Sequence, residues 1–496
     1  MARPRVWFLF ALAAPLLGIA QPSTPQWRPV YHFTPDRNWT NDPNGLLYLG
    51  GVYHLYNQQN PFANEWGHMS WGHATSTDLV HWKHLPVALP ERTADTTWRF
   101  SGSAVYDAHN TSGFCTGGKG CIVAIYTADQ PGRKRETQFV AYSNDGGTTL
   151  TDYSGNPVID LHRKDFRDPN VSWNEPLHQW LMVVSLVDEH KVRFYTSPDL
   201  KAWTALSDFG PQGFVGESWE CPAFFRLPVE GTPGVSKWVL AVSSGFPHGS
   251  PFIQYFVGDF DGKTFTTNQD AASIRPVDYG NTFYAAIPWN GQPAGKRTYL
   301  GWLVPEAQPT YPWRGAMSIP RDLSLREEGG AIVLCQEPAA LIKKGLPVVD
   351  KTNLILRGNE NLNAPKGNAW WLTATIRLNG AGRAGFKVAR NPETGTEVIV
   401  GYDRVIGAVY VDRTHSDTTG LSRDRLLQSM PVSTTQGTLT LTILLDKSIL
   451  EVFVNHGEQV LTTWVFPAKG DDGVAAFGSG GALLEHLKVW NMDNVP

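Results

Sequence analysis

Ala74-Thr-Ser-Thr-Asp-Leu-Val-His-Trp82 and Tyr195-Thr-Ser-Pro-Asp-Leu-Lys-Ala-Trp203 are two versions of one phrase. Looser copies stand at Ala141-Tyr-Ser-Asn-Asp-Gly-Gly147 and Val257-Gly-Asp-Phe-Asp-Gly-Lys-Thr-Phe265. In each copy a short β-rich run leads into an Asp-containing turn and then an aromatic. The copies recur about every 60 residues, a period that suits a four-stranded propeller blade with long loops. The runs Gly51–Tyr56, Ile122–Thr127, Trp180–Leu186, Trp238–Ser243 and Thr298–Leu303 fit the same scheme. They are rich in β-branched and aromatic residues and bounded by Gly, Pro, Asn or Asp, as strands are. Residues 27–340 are therefore expected to form a five-bladed β-propeller in an all-β chain.

Near residue 345 the pattern changes. Trp370-Trp-Leu-Thr-Ala-Thr-Ile-Arg-Leu378 alternates, with Trp370, Leu372, Ala374, Ile376 and Leu378 on one face; Thr438–Leu445 does the same. Such alternation marks half-buried antiparallel strands, so residues 350–496 are expected to form a β-sandwich, with Gly358–Asn368 as a loop in it. No candidate catalytic cluster appears after residue 340, so the chemistry is expected in the first domain. Two domains also suit a chain of 496 residues, since single cores stop growing well below that length.

The formal net charge of -4 argues against a nucleic-acid partner, which would call for a basic surface. Arg3 and Arg5 precede the apolar run Val6–Leu17, and Gly18 and Ala20 follow it. That run is short for a bilayer span and reads as a signal peptide over residues 1–20. No other stretch is apolar enough to cross a membrane, so an exported, soluble protein is expected. Cys115 and Cys121 bracket a Gly-rich tip that a disulfide could close in an oxidising compartment; Cys221 and Cys335 read as unpaired. Sequons occur at Asn38, Asn110 and Asn170. Asn110, in a polar turn, is the best glycan acceptor; the other two lie beside candidate catalytic residues. The chain holds 19 Trp, most of them read as packing residues, some as platforms for sugar rings.

Three carboxylates stand in unusual settings. Asp42 lies in Trp39-Thr-Asn-Asp-Pro-Asn-Gly45. Pro43 restricts Asp42 to extended geometry, and Asn44-Gly45 is a hairpin signal, which places Asp42 at a strand end beside a rigid turn. Alone, this stretch is an ordinary turn. Asp168 lies in Phe166-Arg-Asp-Pro169, where a guanidinium neighbour can keep it ionised and fork onto sugar hydroxyls; alone, it reads equally as a capped surface turn. Glu220 lies in Trp219-Glu-Cys-Pro222, an apolar setting in which desolvation would raise its pKa toward that of a general acid. A structural Glu paired with Arg is the bland alternative, and Glu217 is a rival for the role.

The order of these motifs resembles glycoside hydrolase family 32, with the pattern of its fungal exo-inulinase and invertase-like β-fructofuranosidase members. The resemblance runs from about Tyr31 to the C-terminus. Trp66-Gly-His-Met-Ser-Trp-Gly-His-Ala74, Phe100-Ser-Gly-Ser103, Tyr311-Pro-Trp-Arg-Gly-Ala-Met317, Gly401-Tyr-Asp403, Asp412-Arg-Thr-His-Ser416 and Glu451-Val-Phe453 match it too. The resemblance implies a five-bladed propeller with a sandwich behind it, and a retaining reaction. Asp42 would attack the anomeric carbon of a terminal fructose, Glu220 would act as acid and then base, and Asp168 would stabilise the transition state. It further implies Asn41 and Gln58 on fructose hydroxyls, Trp66 and Phe100 as an apolar wall, and Ser101 as a polar contact. Arg167 would orient Asp168, Cys221 would lie against Glu220, and Trp313 would close the pocket. No metal or organic cofactor is needed. The implied partners are sucrose and polymeric fructans, with neither nucleic acid nor membrane; monomer and homodimer stay open. Asp42, rather than Glu, in the first box points to exo action.

Thr40, Asn57, Gln59, His68 and Asn170 depart from the usual pattern and bear on leaving-group preference. A fructosyltransferase would share every catalytic group, a non-catalytic sugar-binding protein is disfavoured by the intact carboxylates, and a Ser or metal hydrolase finds no motif, since His68 and His73 lack a ligand partner at metal spacing.

Overall fold

The structure, a computed structural model, describes residues 25–306, 310–362, 364, 366–416, 421, 425–434 and 437–495. The expected signal peptide at 1–20 lies outside them. Among the described residues no helix is long and apolar enough to cross a membrane.

The chain is all-β, and up to residue 338 it forms five successive antiparallel sheets. The first runs through Asn38–Leu49, Val52–Asn60, Ser70–Ser76 and Lys83–Leu89; the second through Trp98–Asp107, Cys121–Gln130, Arg135–Ser143 and Thr151–Asp152. Phe166–Asn174, Gln179–Leu186, Lys191–Ser197 and Thr204–Phe209 make the third; Glu220–Pro228, Ser236–Ser243, Ile253–Phe260 and Phe265–Thr266 the fourth. The fifth holds Phe283–Pro288, Thr298–Leu303, Arg321–Glu328 and Ala331–Pro338. All five strands expected from the sequence fall on the second strand of a sheet. Each sheet's first strand lies against the first strand of the next, and the fifth returns to the first, so these strands close a ring. Trp313–Arg314 reinforces the closure by pairing in parallel with Asn38–Trp39.

The repeated phrase is the turn between third and fourth strands. Asp78 Oδ1 accepts the amides of Val80 (3.0 Å) and His81 (2.8 Å), and Asp199 Oδ1 those of Lys201 (2.9 Å) and Ala202 (2.7 Å). Asp261 serves the fourth sheet in the same way, and Asp145 in the second takes the Thr149 amide at 3.1 Å instead. A carboxylate that satisfies its own turn's amides specifies that turn locally, which is why the repeat is visible in sequence.

After residue 340 come two six-stranded sheets. Trp370, Leu372 and Ile376 of Ala369–Arg377 share a core with Val388, Val400 and Val411 of the other sheet. The expected alternation holds, but the second face meets water only from Thr373 to Arg377 and not at Trp371. Trp371 is buried in the core of the five-sheet domain together with Trp490, and Lys344 Nζ sits over both rings, at 4.5 and 5.0 Å. The expected loop at Gly358–Asn368 is also corrected in part, because Gly358–Asn361 is a strand paired with Gly473–Gly478.

A buried polar joint adds to this contact. Asp446 accepts the amides of Val30 (2.7 Å), Tyr31 (2.8 Å) and His32 (2.9 Å), which ties the N-terminal segment to the second domain. Fully buried Arg321 of the fifth sheet donates to Glu451 Oε2 (2.9 Å) and Asp278 Oδ2 (3.1 Å). Glu451 also takes the Ile319 amide at 2.8 Å. Burying charges is tolerable only with partners this complete.

Candidate active site

The five first strands share an irregularity. Between Thr40 and Pro43, Arg99 and Gly102, Arg167 and Asn170, Glu220 and Ala223, and Tyr284 and Ile287, three steps on the first strand face two on its partner. Each is a β-bulge, which bends the strand and re-aims its side chains. In the third, fourth and fifth sheets the residue after the first paired one has positive φ: Asp168 (67°), Cys221 (45°) and Ala285 (52°). Holding a non-glycine residue there costs about 1–3 kcal/mol, which surrounding structure must offset.

The bulges turn their side chains into one cavity of about 400 Å³. Asn41, Asp42, Gln58, Trp66, Phe100, Ser101, Arg167, Asp168, Glu220 and Cys221 line it, together with Phe246, Tyr284 and Trp302. Ten of the eleven site residues expected from the sequence are thus brought together. Trp313 is not. It is wholly buried, because its pairing with Asn38 turns the indole into the core, under the Arg28 guanidinium; Trp302 forms that wall instead. Glu217 is exposed and outside the cavity.

Asp42 sits in a strand that runs unbroken from Asn38 to Leu49, so the expected hairpin at Asn44-Gly45 is a bulge instead. Gly45 has φ +49°, and a Cβ there would lie 2.8 Å from the Tyr56 ring and 2.9 Å from Trp71. Ser101 Oγ donates to Asp42 Oδ2 at 2.5 Å and the Asn41 amide to Oδ1 at 3.3 Å. Burial raises the Asp42 carboxyl, and nearby Glu220 adds to this, while the Ser101 and Asn41 hydrogen bonds favour the anion.

Asp168 accepts the Cys221 amide at 2.8 Å. Cys221 Sγ lies 3.5 Å from both Asp42 Oδ2 and Asp168 Oδ2. The thiol therefore bridges these two carboxylates, a correction to its expected place against Glu220. Burial pushes Asp168 up to about 7; Arg167 opposes this, and Glu220 and Asp42 reinforce it. Burial and the three carboxylates raise the thiol too, so Cys221 is a neutral donor.

Glu220 is half-buried and held on both oxygens. Arg167 Nε donates to Oε1 at 3.1 Å and Tyr284 Oη to Oε2 at 2.8 Å. Arg167 thus grips Glu220, and on its other side Glu136, rather than Asp168 as expected. The apolar pocket anticipated for Glu220 is replaced by three polar donors, the third being Ser218 Oγ at 3.4 Å from Oε2. At the mouth, Trp66 is 52% exposed and meets Trp98 edge-on, 5.1 Å between centroids. Phe246 lies against the Tyr284 ring at 4.8 Å. Phe246, Tyr284 and Trp302 escaped the sequence reading. The one signal for Tyr284 is its place in the fifth bulge, visible only once the five strands are aligned.

Two carboxylates lining one small cavity, one accepting from Ser and Asn, the other held by Arg and Tyr, are the equipment of a glycoside hydrolase. Residues 32–338 match the N-terminal domain, and 342–491 the C-terminal domain, of glycosyl hydrolases family 32. The chain belongs to that family. It is 42% identical over 487 residues to a levanase of Bacillus subtilis (strain 168), covering 95% of this chain and 71% of that protein. It is 37% identical over 510 residues to an extracellular exo-inulinase of Aspergillus awamori, covering 93% and 94%. The crystal structure of exo-inulinase from Aspergillus awamori superposes with a TM-score of 0.88 at 35% identity, covering 94% of this chain and 98% of that one.

Proposed function

We propose that the protein is an exported, retaining exo-β-fructosidase that releases terminal fructose from sucrose and fructans. The reading is carried by one observation: Asp42, Asp168 and Glu220, from three different sheets, face one cavity in which Cys221 touches the first two. A volume near 400 Å³ is at the small end of the ~300–1,000 Å³ of ligand pockets and suits the end of a sugar chain rather than its middle. Levanase, exo-inulinase and invertase relatives support the substrate class, and an extracellular relative supports export. We read the five-sheet ring over 27–340 as a five-bladed propeller and the paired sheets over 350–496 as a sandwich.

The Asp42 carboxylate attacks the anomeric carbon of the terminal fructosyl unit while Glu220 gives its proton to the departing oxygen. Water then attacks the ester-like intermediate, Glu220 takes its proton, and Asp42 leaves. Tyr284 and Arg167 hold Glu220 in place through both steps. Asp168, pinned by the Cys221 amide, accepts hydrogen bonds from fructose hydroxyls as positive charge builds on the ring.

Asp42→Asn and Glu220→Gln should each lower kcat by at least ~1,000-fold with an unchanged circular dichroism spectrum. Glu220→Gln should retain most of its kcat/KM on an aryl β-fructofuranoside, whose leaving group needs no proton. Fructose release at wild-type rates by either variant would remove that residue from the mechanism. Product chromatography at high sucrose should show free fructose; accumulating kestose-type oligomers would make the protein a transferase. Asn110 is exposed, whereas Asn170 is buried and Asn38 half-buried, which supports Asn110 as the glycan acceptor.

A further inference from the structure

Arg167 is the cation against which Glu220 rests; Asp165 of its own segment lies 3.4 Å from both Nη atoms, and the closer, more buried carboxylate that holds it comes from another sheet. Glu136, on Arg135–Ser143 of the second sheet, is 4% exposed. One of its oxygens pairs with Arg167 Nη1, and the other accepts the Phe166 amide at 2.8 Å. Its neighbours on the same sheet clamp the same segment. Gln138 donates to Phe166 O at 2.8 Å, and Thr127 Oγ1 accepts the Asp168 amide at 2.9 Å. Thr127 and Gln138 stand opposite each other in register and are hydrogen-bonded at 2.9 Å. The polar face of the second sheet therefore holds the strained Arg167–Asp168 bulge from behind.

Within this cradle Glu136 alone bears a charge. Burial works to push its carboxyl up, and the paired Arg167 guanidinium and the Phe166 amide oppose this by favouring the anion. A glutamine would hold the Phe166 amide equally well through its carbonyl oxygen, without a buried charge to desolvate. The backbone clamp thus does not account for a carboxylate; the guanidinium does.

We propose that Glu136 is a positioning residue for the acid/base step: it fixes the Arg167 guanidinium so that Nε meets Glu220, and by balancing that positive charge it lets Glu220 keep its proton. The inference rests on the assignment of Glu220 as acid/base. The charged and titratable groups about Arg167 are Glu136 and Asp129 of the second sheet, Lys164, Asp165 and Asp168 of its own segment, and Glu220 of the fourth sheet. Glu220 in turn faces Arg167, Tyr284, Cys221, Asp42 and Asp168. Removing the Glu136 charge leaves Arg167 less neutralised beside Glu220, which favours the Glu220 carboxylate and empties the proton-donating form at lower pH.

The test is the full chain with Glu136→Gln and, separately, Glu136→Asp, assayed for kcat and KM across pH on sucrose and on a nitrophenyl β-fructofuranoside. For Glu136→Gln, sucrose kcat should fall about 10-fold or more with KM within about 3-fold, and the alkaline limb of kcat/KM should move down by about half a pH unit or more. The aryl fructoside should lose less than about 3-fold in kcat/KM, because its departure draws no proton from Glu220. Glu136→Asp keeps the charge on a shorter arm, so its alkaline limb should stay in place while sucrose kcat falls. A Glu136→Gln enzyme with a wild-type alkaline limb, or one equally slowed on both substrates, overturns the proposal. Should that variant fail to fold by circular dichroism, Glu136→Asp decides: a wild-type ratio of the two substrates' kcat/KM overturns it as well. A wild-type enzyme that releases fructose from neither substrate would instead sink the fructosidase reading.

Discussion

Under the proposed mechanism, Ser101 Oγ, 2.5 Å from Asp42 Oδ2, is what makes a buried carboxylate usable as a nucleophile. Burial raises Asp42, and the hydroxyl opposes it. A hydrogen bond to a charged group contributes ~1.5–3 kcal/mol. Ser101→Ala should therefore lower kcat/KM by about 10- to 100-fold and move its acid limb to higher pH, as a pH–rate profile would show. Asp168 runs the other way. Its carboxyl titrates near 7 in the fold against about 3.9 in an unfolded chain. The native state therefore binds the extra proton between those values, so this contribution to stability is full below the unfolded pKa and is lost as pH rises through 7. Asp168→Asn should raise the thermal midpoint at pH 8, with the gain fading toward pH 4, while abolishing fructose release; differential scanning fluorimetry and a reducing-sugar assay check both. Stability conceded at a functional carboxylate is the usual trade.

At the scale of the element, the bulge explains which parts of the site could be read beforehand. Asp42-Pro43, Asp168-Pro169 and Cys221-Pro222 announce three of the five, because proline in a first strand marks a departure from regular pairing. Phe100-Ser101 and Tyr284-Ala285 carry no such mark. Ser101 came from the resemblance, and Tyr284 was missed. Arg167 and Cys221 line the cavity, but their hydrogen-bond partners differ from those expected, since which carboxylate a guanidinium or thiol meets depends on how neighbouring sheets are set. Trp313 failed for a related reason: a parallel pairing with Asn38 is invisible in local sequence. The bulge after Asn44 depends on Gly45. Gly45→Ala would add strain at φ +49° and a methyl against Tyr56 and Trp71. It should cost about 1–3 kcal/mol and lower kcat as Asp42 shifts, to be measured by urea unfolding and steady-state kinetics.

At the scale of the whole molecule, the two domains are one folding problem. The sequence showed two domains and the alternation of Trp370–Leu378, but not that Trp371 faces the other domain, because an interface and a solvent face have the same period. Glu451→Ala would leave the fully buried Arg321 guanidinium with Asp278 as its remaining carboxylate partner and would free the Ile319 amide, a loss of about 3–5 kcal/mol, visible as an earlier unfolding transition of both domains together. His32 adds a pH dependence. Burial works against its cation, but Asp446 and Glu451 outweigh this and hold its pKa at about 9, above the ordinary 6.5. Its stabilisation is complete below about pH 6.5 and drains away toward pH 9. The thermal midpoint should fall across that window, and His32→Gln should flatten the fall.

The extra residue in each first strand also sets parity. Downstream of Arg167, Val171 faces the core only because one additional step was counted before it. Excising that step would swap inward and outward positions for the rest of the strand, so the sheet would fail along with the chemistry. Evolution can silence the proposed catalytic groups by substitution, one at a time, but a single-codon deletion there should forfeit the fold. Lineages that abandon catalysis should thus keep the kinked strands long after the carboxylates are gone.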